Sequence, residues 1–318
     1  MPKLLIVKTS SMGDVIHALP VLQDLKRHDP SWSVDWMVEA PFSGVLSMHS
    51  VVDEVWNVAV RRWRKRWWTT QVQTEWRTFR DGLQKRHYDL VLDLQGLLKS
   101  AWLASKAQGL LVGYDRHSIR EPLASCFYER CYSVPKQLHA VERNRRLAAA
   151  ALGYVLNEPI DYGLAIEPLI DAWLPERPYV VMLHATSRED KQWQFDAWLA
   201  LAKRLDGVGM DCVLPWGSEA EQKMAQQLAQ AMPNAIVAPR LSLAVAAALL
   251  RGARLTVGVD TGLSHLAAAV GCPTIALFCA SEPRLTGVMA DTPCWNLGGN
   301  GKPPSVGEVW MQAQQVLL

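Results

Sequence analysis

The chain has 318 residues, of which 49% are hydrophobic and 20% charged, with a formal net charge of +2. That length exceeds what one hydrophobic core usually serves, and the composition excludes a disordered chain, so two folded domains are expected. A near-neutral balance provides no global field toward polyanions, so any basic function is local and no nucleic-acid partner is expected.

Six cysteines (Cys126, Cys131, Cys212, Cys272, Cys279 and Cys294) form no C-x-x-C pair and have no histidine spacing suited to zinc. They read as reduced thiols of a cytosolic protein, with no metal site. The apolar run after Met1-Pro2-Lys3 is too brief for a signal-peptide core. The uncharged stretch 261–281 is split by Gly271 and Pro273 into a helix-like and a strand-like half, which argues for buried elements over a membrane span.

In chain order, short β-branched runs predict strands over 4–8, 34–38, 55–58, 90–94 and 111–112, and amphipathic stretches predict helices over 15–27, 42–49, 74–85, 98–107 and 141–152. Pro159, Pro168, Pro175 and Pro178 then weaken the pattern. Alternation restarts with strands over 179–183, 212–214, 235–237, 255–259 and 274–278, and helices over 195–205, 219–231, 243–250 and 263–270. The division is a first domain over 1–165, a linker over 166–178, a second domain over 179–304 and a C-terminal helix, 305–318, able to return to the first domain. Repeated βαβ units make the class α/β, with two parallel sheets facing a cleft and ligands at the carboxyl ends of strands.

Several strand ends carry chemistry. The first runs into Lys8-Thr9-Ser10-Ser11-Met12-Gly13-Asp14. One glycine there cannot make a G-x-G-x-x-G turn, and no P-loop is present, which weakens dinucleotide and nucleoside-triphosphate readings. Asp14 suits a general base, and equally an ordinary helix cap. After the strand over 179–183, Thr186, Ser187 and Lys191 can hold a phosphate by hydroxyls and charge, or form a solvated loop. Asp260-Thr261-Gly262-Leu263-Ser264-His265 unites glycine, hydroxyl and a helix start, which suits a diphosphate, although His265 is more often structural. Glu221 can accept from a ribose or simply complement its helix. Residues 61–68 pack five cations and three indoles into eight positions. Such a run grips phosphates at a bilayer face or stacks on nucleic-acid bases.

Together, Lys8-Thr9-Ser10-Ser11-Met12-Gly13-Asp14-Val15-Ile16-His17, Arg61-Arg62-Trp63-Arg64-Lys65, Arg120-Glu121-Pro122-Leu123-Ala124-Ser125 and Val259-Asp260-Thr261-Gly262-Leu263-Ser264-His265 resemble the lipopolysaccharide heptosyltransferase family, glycosyltransferase family 9. The Asp-Thr-Gly-x-Ser-His run marks that family broadly, and the other three are narrower. The resemblance covers nearly the whole chain. It implies the GT-B fold of two Rossmann-like domains, with an N-terminal acceptor half and a C-terminal half for ADP-L-glycero-β-D-manno-heptose. The implied reaction inverts the anomeric centre and places an α-linked heptose on the first Kdo of Kdo2-lipid A, at the cytoplasmic face of the inner membrane, where the protein is peripheral. By position, Asp14 matches the general base. Thr186, Ser187, Lys191, Glu221, Asp260, Thr261, Gly262 and His265 match the donor pocket. Ser10, Ser11, Arg61, Arg62, Arg64, Lys65, Lys99 and Arg120 are expected at the acceptor. No cofactor is implied, and the sequence has no Asp-x-Asp pair for a metal. The competing readings are a nicotinamide-dependent nucleotide-sugar oxidoreductase or epimerase, and a membrane or nucleic-acid binding protein acting through 61–68.

Overall fold

Each half of the chain builds a six-stranded, all-parallel sheet. The computed structural model describes residues 1–186 and 188–318, and these divide into two units, Met1–Gly163 and Leu164–Leu318. In the first, β1 (Lys3–Val7), β2 (Ser33–Glu39), β3 (Val52–Val58), β4 (His87–Asp93), β5 (Gln108–Tyr114) and β6 (Arg130–Tyr132) lie in the order β3-β2-β1-β4-β5-β6. In the second, β7 (Tyr179–Leu183), β8 (Asp211–Leu214), β9 (Ala235–Val237), β10 (Leu255–Val259), β11 (Thr274–Phe278) and β12 (Cys294–Gly298) lie in the order β12-β11-β10-β7-β8-β9. Numbered within its own unit, each sheet has the Rossmann order 3-2-1-4-5-6, whose direction reverses between the first and fourth strands. Those reversals, at β1/β4 and β7/β10, are where such folds hold ligands.

The central strands are apolar throughout because helices cover both faces. Leu4 to Val7 and Val180 to Met182 have no exposed surface. Around the second sheet, Trp198, Leu201 and Leu205 of the helix Phe195–Asp206 pack with Val309 and Ala313 of the C-terminal helix Val306–Leu317. That last helix is therefore seated on the second unit's own core.

Four local readings change. The stretch 15–27 is two helices, Met12–Ile16 and Pro20–His28, because Pro20 favours a first turn and cannot continue a preceding helix. The 42–49 stretch shrinks to a 3₁₀ turn, Ala40–Phe42, and a single turn, Ser43–Leu46. The helix expected over 74–85 starts earlier, at Thr70, where Oγ1 of Thr69 accepts from the Val72 N–H at 3.4 Å. Part of the basic-aromatic run is itself helical, over Val60–Lys65.

Candidate active site

At the first unit's reversal point, the turn after β1 is held from beneath by β4. Asp93, with no exposed surface, accepts from the Gln95 N–H (2.8 Å), the Gly96 N–H (3.2 Å), the Ser100 hydroxyl (2.8 Å) and the Tyr128 hydroxyl (2.8 Å). Burial pushes its pKa up, opposed by these four hydrogen bonds. Gly96 has φ +68, so the turn after Asp93 needs a residue without Cβ strain. The turn aims Gln95 so that its Oε1 accepts from the N–H groups of Thr9 (3.0 Å) and Ser10 (3.2 Å). The loop that begins there ends on Asp14, whose Oδ2 accepts from the N–H (2.7 Å) and hydroxyl (3.0 Å) of Ser11. Asp14 is therefore a helix cap in this structure, and both capping contacts fall on Oδ2. Capping fixes the carboxylate on its turn, partly exposed, which a general base also requires.

Cations gather at the same strand ends. Nζ of Lys99 donates to the Ser10 hydroxyl at 2.9 Å. Glu39, at the end of β2, is buried, and desolvation raises its pKa against the charges of Lys99 and Arg61 and the N–H groups of Val60 and Arg61. Ser10, Ser11, Asp14, Lys99 and Arg61 thus share one neighbourhood. Arg120 is exposed and contributes repulsion at Lys8. Arg64 and Lys65 are exposed and have no ion pair among the described residues. Arg62 differs from its neighbours in that both guanidinium Nη atoms donate to Glu75, at 2.9 and 2.5 Å, and Nε1 of Trp63 donates to the same carboxylate at 3.0 Å.

At the second unit's reversal point, Oδ2 of Asp260 accepts from Nζ of Lys191 (2.6 Å) and the Ser281 hydroxyl (2.5 Å), and its carbonyl accepts from the Thr186 hydroxyl (3.4 Å). Burial alone would raise the Asp260 pKa. The hydrogen bonds from Lys191 and Ser281, with the charges of Lys191 and His265, outweigh it and hold the carboxyl below its ordinary value. Thr261 precedes the helix Gly262–Ala269 in extended conformation and, among the described residues, its side chain makes no cap hydrogen bond, a helix start that suits an anion. Gly258 makes the packing close: a Cβ there would meet the Ser264 hydroxyl at 2.4 Å, and that hydroxyl donates to the Val259 carbonyl at 2.7 Å.

Beside Thr186 lies a cavity of about 590 Å³ between the ends of β7 and β8, walled by His184, Thr186, Trp193, Phe195, Glu221 and Met224 among others. Oε2 of Glu221 accepts from the N–H groups of Gly217 (2.7 Å) and Ser218 (3.2 Å), the reciprocal cap of its own helix. The strand ends thus bring Thr186 together with Lys191 and Asp260 on one side and with Glu221 on the other. Ser187 lies outside the described residues. Among the described residues there is no cluster of three or more histidine, cysteine or carboxylate groups fit to hold a metal.

The sequence reading missed Asp93, Gln95 and Ser281. A signal existed for the first two: Asp93-Leu94-Gln95-Gly96 is a strand end, a glycine turn and a helix start, the pattern that singled out 259–265.

Comparison with known proteins points to the heptosyltransferases. The model of glycosyltransferase family 9 (heptosyltransferase) matches residues 76–309. Lipopolysaccharide heptosyltransferase 1 of Pseudomonas aeruginosa is 50% identical over 90% of this chain and 81% of its own length. The Escherichia coli heptosyltransferase WaaC solved with ADP is 40% identical, with a TM-score of 0.91 over 98% of this chain and 99% of that one. The same enzyme with ADP-2-deoxy-2-fluoro heptose gives a TM-score of 0.88 at 39% identity, over 98% and 99% of the two chains. With the parallel sheets described above, this likeness makes the fold GT-B. The chain belongs to glycosyltransferase family 9, the heptosyltransferases.

Proposed function

We propose that this protein transfers L-glycero-D-manno-heptose from ADP-L-glycero-β-D-manno-heptose to the first Kdo of Kdo2-lipid A, with inversion, as a step of lipopolysaccharide inner-core synthesis. The observation that carries the reading is the first unit's strand-end cluster: a partly exposed carboxylate, Asp14, on a turn fixed by Gln95 and flanked by Lys99. An acceptor hydroxyl on an anionic sugar needs both a base and countercharge, and this cluster offers both.

Inversion requires the nucleophile to approach the anomeric carbon opposite the leaving group while an oxocarbenium-like transition state forms. Asp14 takes the proton of the Kdo hydroxyl. The C–O bond to heptose forms as the bond to the ADP phosphate breaks, and ADP leaves with the electron pair. Negative charge on the departing diphosphate is met by Lys191, the Thr186 hydroxyl and the N–H groups at the start of Gly262–Ala269. Ser187 is assigned to the same turn. In the structure Lys191 pairs with Asp260, and a bound diphosphate competes for that ammonium. Thr261, Gly262 and His265 complete the pocket, and Glu221 faces the nucleoside from the adjoining cavity wall. Arg61, Arg64, Lys65 and Arg120 hold acceptor phosphates and carboxylates.

Contact with the cytoplasmic face of the inner membrane is part of this reading. Trp67 and Trp68 are 67% and 63% exposed beside those cations. Among the described residues no helix is long and apolar enough to cross a membrane, so attachment to an anionic surface is peripheral.

The test is incubation of purified protein with ADP-heptose and Kdo2-lipid A, following ADP release and acceptor mass together. A gain of one heptose on the acceptor, equal to ADP released and undiminished by EDTA, is expected. Release of ADP without acceptor gain, or activity lost to EDTA and restored only by a divalent metal, overturns the reading.

A further inference from the structure

All six cysteines are free thiols, and burial sorts them. Cys212, Cys272 and Cys279 are buried and Cys294 is half-buried, whereas Cys126 and Cys131 are exposed. The two exposed thiols belong to one short stretch, Cys126 in the 3₁₀ turn Pro122–Phe127 and Cys131 on β6. The chain path brings them together. Sγ of Cys131 lies 3.9 Å from the Ser125 carbonyl oxygen, which also accepts from the Tyr128 N–H at 3.2 Å. A trans peptide puts a carbonyl oxygen about 2.8 Å from the next Cα, so the Cys131 sulfur is within roughly 7 Å of the Cys126 Cα. Bonding the two sulfurs calls for side-chain rotation and a modest shift of an exposed turn, beside an edge strand that pairs only with β5.

Between the two thiols stands Tyr128, which is buried. Its hydroxyl donates to Asp93 at 2.8 Å, and its ring lies so close to Gly113 that a Cβ there would meet it at 2.4 Å. At the other end of the 3₁₀ turn, Glu121 accepts from the Leu98 N–H at 2.7 Å. The stretch 121–131 therefore grips the Asp93 turn twice, and that turn aims Gln95 at Thr9 and Ser10. Drawing Cys126 and Cys131 together displaces the Tyr128 segment, and the displacement reaches the loop that carries Asp14.

We propose that Cys126 and Cys131 form a reversible redox site that reacts with a low-molecular-weight disulfide, such as glutathione disulfide, and slows heptose transfer when oxidised. Partial desolvation of the Cys131 sulfur, with the charges of Asp115 and Cys126, pushes that thiol up and keeps it protonated, so Cys126 attacks first. Its thiolate bonds to one sulfur of the glutathione disulfide, whose S–S bond breaks, and one glutathione leaves as thiolate. Cys131 then gives up its proton and attacks the Cys126 sulfur, which forms the internal disulfide and expels the second glutathione. The protein loses two electrons and two protons, and the glutathione disulfide gains them as two thiols. An exposed disulfide of this kind is readily reduced, so excess glutathione reverses the reaction.

The test incubates the reduced, folded full chain with glutathione disulfide, blocks the remaining thiols, and reads peptides by mass spectrometry beside transfer to Kdo2-lipid A. A Cys126–Cys131 link is expected, with Cys212, Cys272 and Cys279 unmodified and kcat at least about threefold lower until dithiothreitol restores it. Cys131→Ser should stop at a glutathione adduct on Cys126, and Cys126→Ser should keep the wild-type rate with or without glutathione disulfide. Separate adducts on both thiols without a link, no reaction at either, or a link that leaves kcat unchanged overturns the proposal. Equal slowing of Cys126→Ser assigns the effect to another thiol and also overturns it. If reduced wild type transfers no heptose, the proposed function fails by itself and amide exchange decides the redox site. The link should then speed exchange at the Gln95 and Gly96 N–H groups, which bond to Asp93, and unchanged exchange sinks the proposal.

Discussion

At the first unit's reversal point two ionisable groups, Lys8 and Asp93, lie inside the protein, and at the second the pair Lys191 and Asp260 lies at its edge. Lys8, 6% exposed, donates from Nζ to the Leu94 carbonyl at 2.8 Å and to Asn144 Oδ1 at 3.4 Å. Burial lowers its pKa against the attraction of Asp14 and Asp93. Asp93 beside it is fully buried. In the second unit, Asp260 and Lys191 pair with side chains 17% and 20% exposed, where a ligand can exchange for either partner. On the proposed reading, one strand order supports two devices. A base must stay where it is through a reaction cycle, and buried, hydrogen-bonded groups fix the loop that carries it. A diphosphate pocket must admit and release an anion, and a replaceable ion pair at a helix start provides that.

The sharpest way to break this comparison is to remove the proposed base, Asp14. Asp14→Asn keeps an oxygen for the Ser11 cap but cannot take a proton, so turnover should fall ~10²- to 10⁴-fold. ADP-heptose affinity, measured by calorimetry, should stay at the wild-type value. Near-wild-type turnover would return Asp14 to a purely capping role.

Next in size is Lys191→Met. Losing one charge-assisted donor to the leaving group should lower kcat ~10²- to 10³-fold. The same substitution should act on stability with a defined sign. Lys191 helps hold the Asp260 carboxyl below its ordinary value, so the pair stabilises the fold at neutral pH and loses that contribution as pH falls through the carboxylate range. The stability difference between wild type and Lys191→Met should therefore be full near pH 7 and shrink below about pH 4 in denaturant titrations. A difference that grows on acidification contradicts the assignment.

Gln95→Leu comes third. It leaves the Thr9 and Ser10 N–H groups without their acceptor, which loosens the Asp14 turn, and kcat should drop about tenfold at unchanged donor affinity. Gln95→Glu retains the acceptor oxygen and should restore most of the rate. If Gln95→Leu instead weakens ADP-heptose binding, the two reversal points are not separate devices.

How much of this was legible in the sequence follows from where the information lies. The central strands announced themselves because a strand covered on both faces must be apolar at every position, as Leu4 to Val7 and Val257 to Val259 are except for Gly258. The edge strands β6 and β12 did not, since Arg130-Cys131-Tyr132 and Cys294-Trp295-Asn296-Leu297-Gly298 are half exposed and carry no continuous apolar run. The 259–265 turn was legible from its glycine, hydroxyl and helix start in one stretch. The hold of Gln95 on Thr9 and Ser10 spans 86 and 85 positions, and no local pattern encodes it. The same limit hid the stack of Trp76 on Trp102 and the engagement of Arg62 by Glu75.

That last pairing yields the smallest expected effect and the finest discrimination. In sequence, Arg61, Arg62 and Arg64 are equivalent candidates for acceptor phosphates. The structure separates them, because Arg62 delivers both terminal nitrogens to Glu75, while Arg61 and Arg64 have no ion pair among the described residues. An arginine whose fork is already filled has little left for a phosphate. Arg61→Ala and Arg64→Ala should each raise the acceptor KM roughly fivefold at low ionic strength, the worth of one cation near an anionic surface, with the effect fading as salt is added. Arg62→Ala should change it less than about twofold, because the Arg62 charge is already neutralised. A loss at Arg62 equal to that at Arg61 would mean that acceptor binding pulls Arg62 away from Glu75. Glu75→Gln would then lower the acceptor KM by freeing the guanidinium in advance, and failure of that second change would leave Arg62 outside the acceptor site.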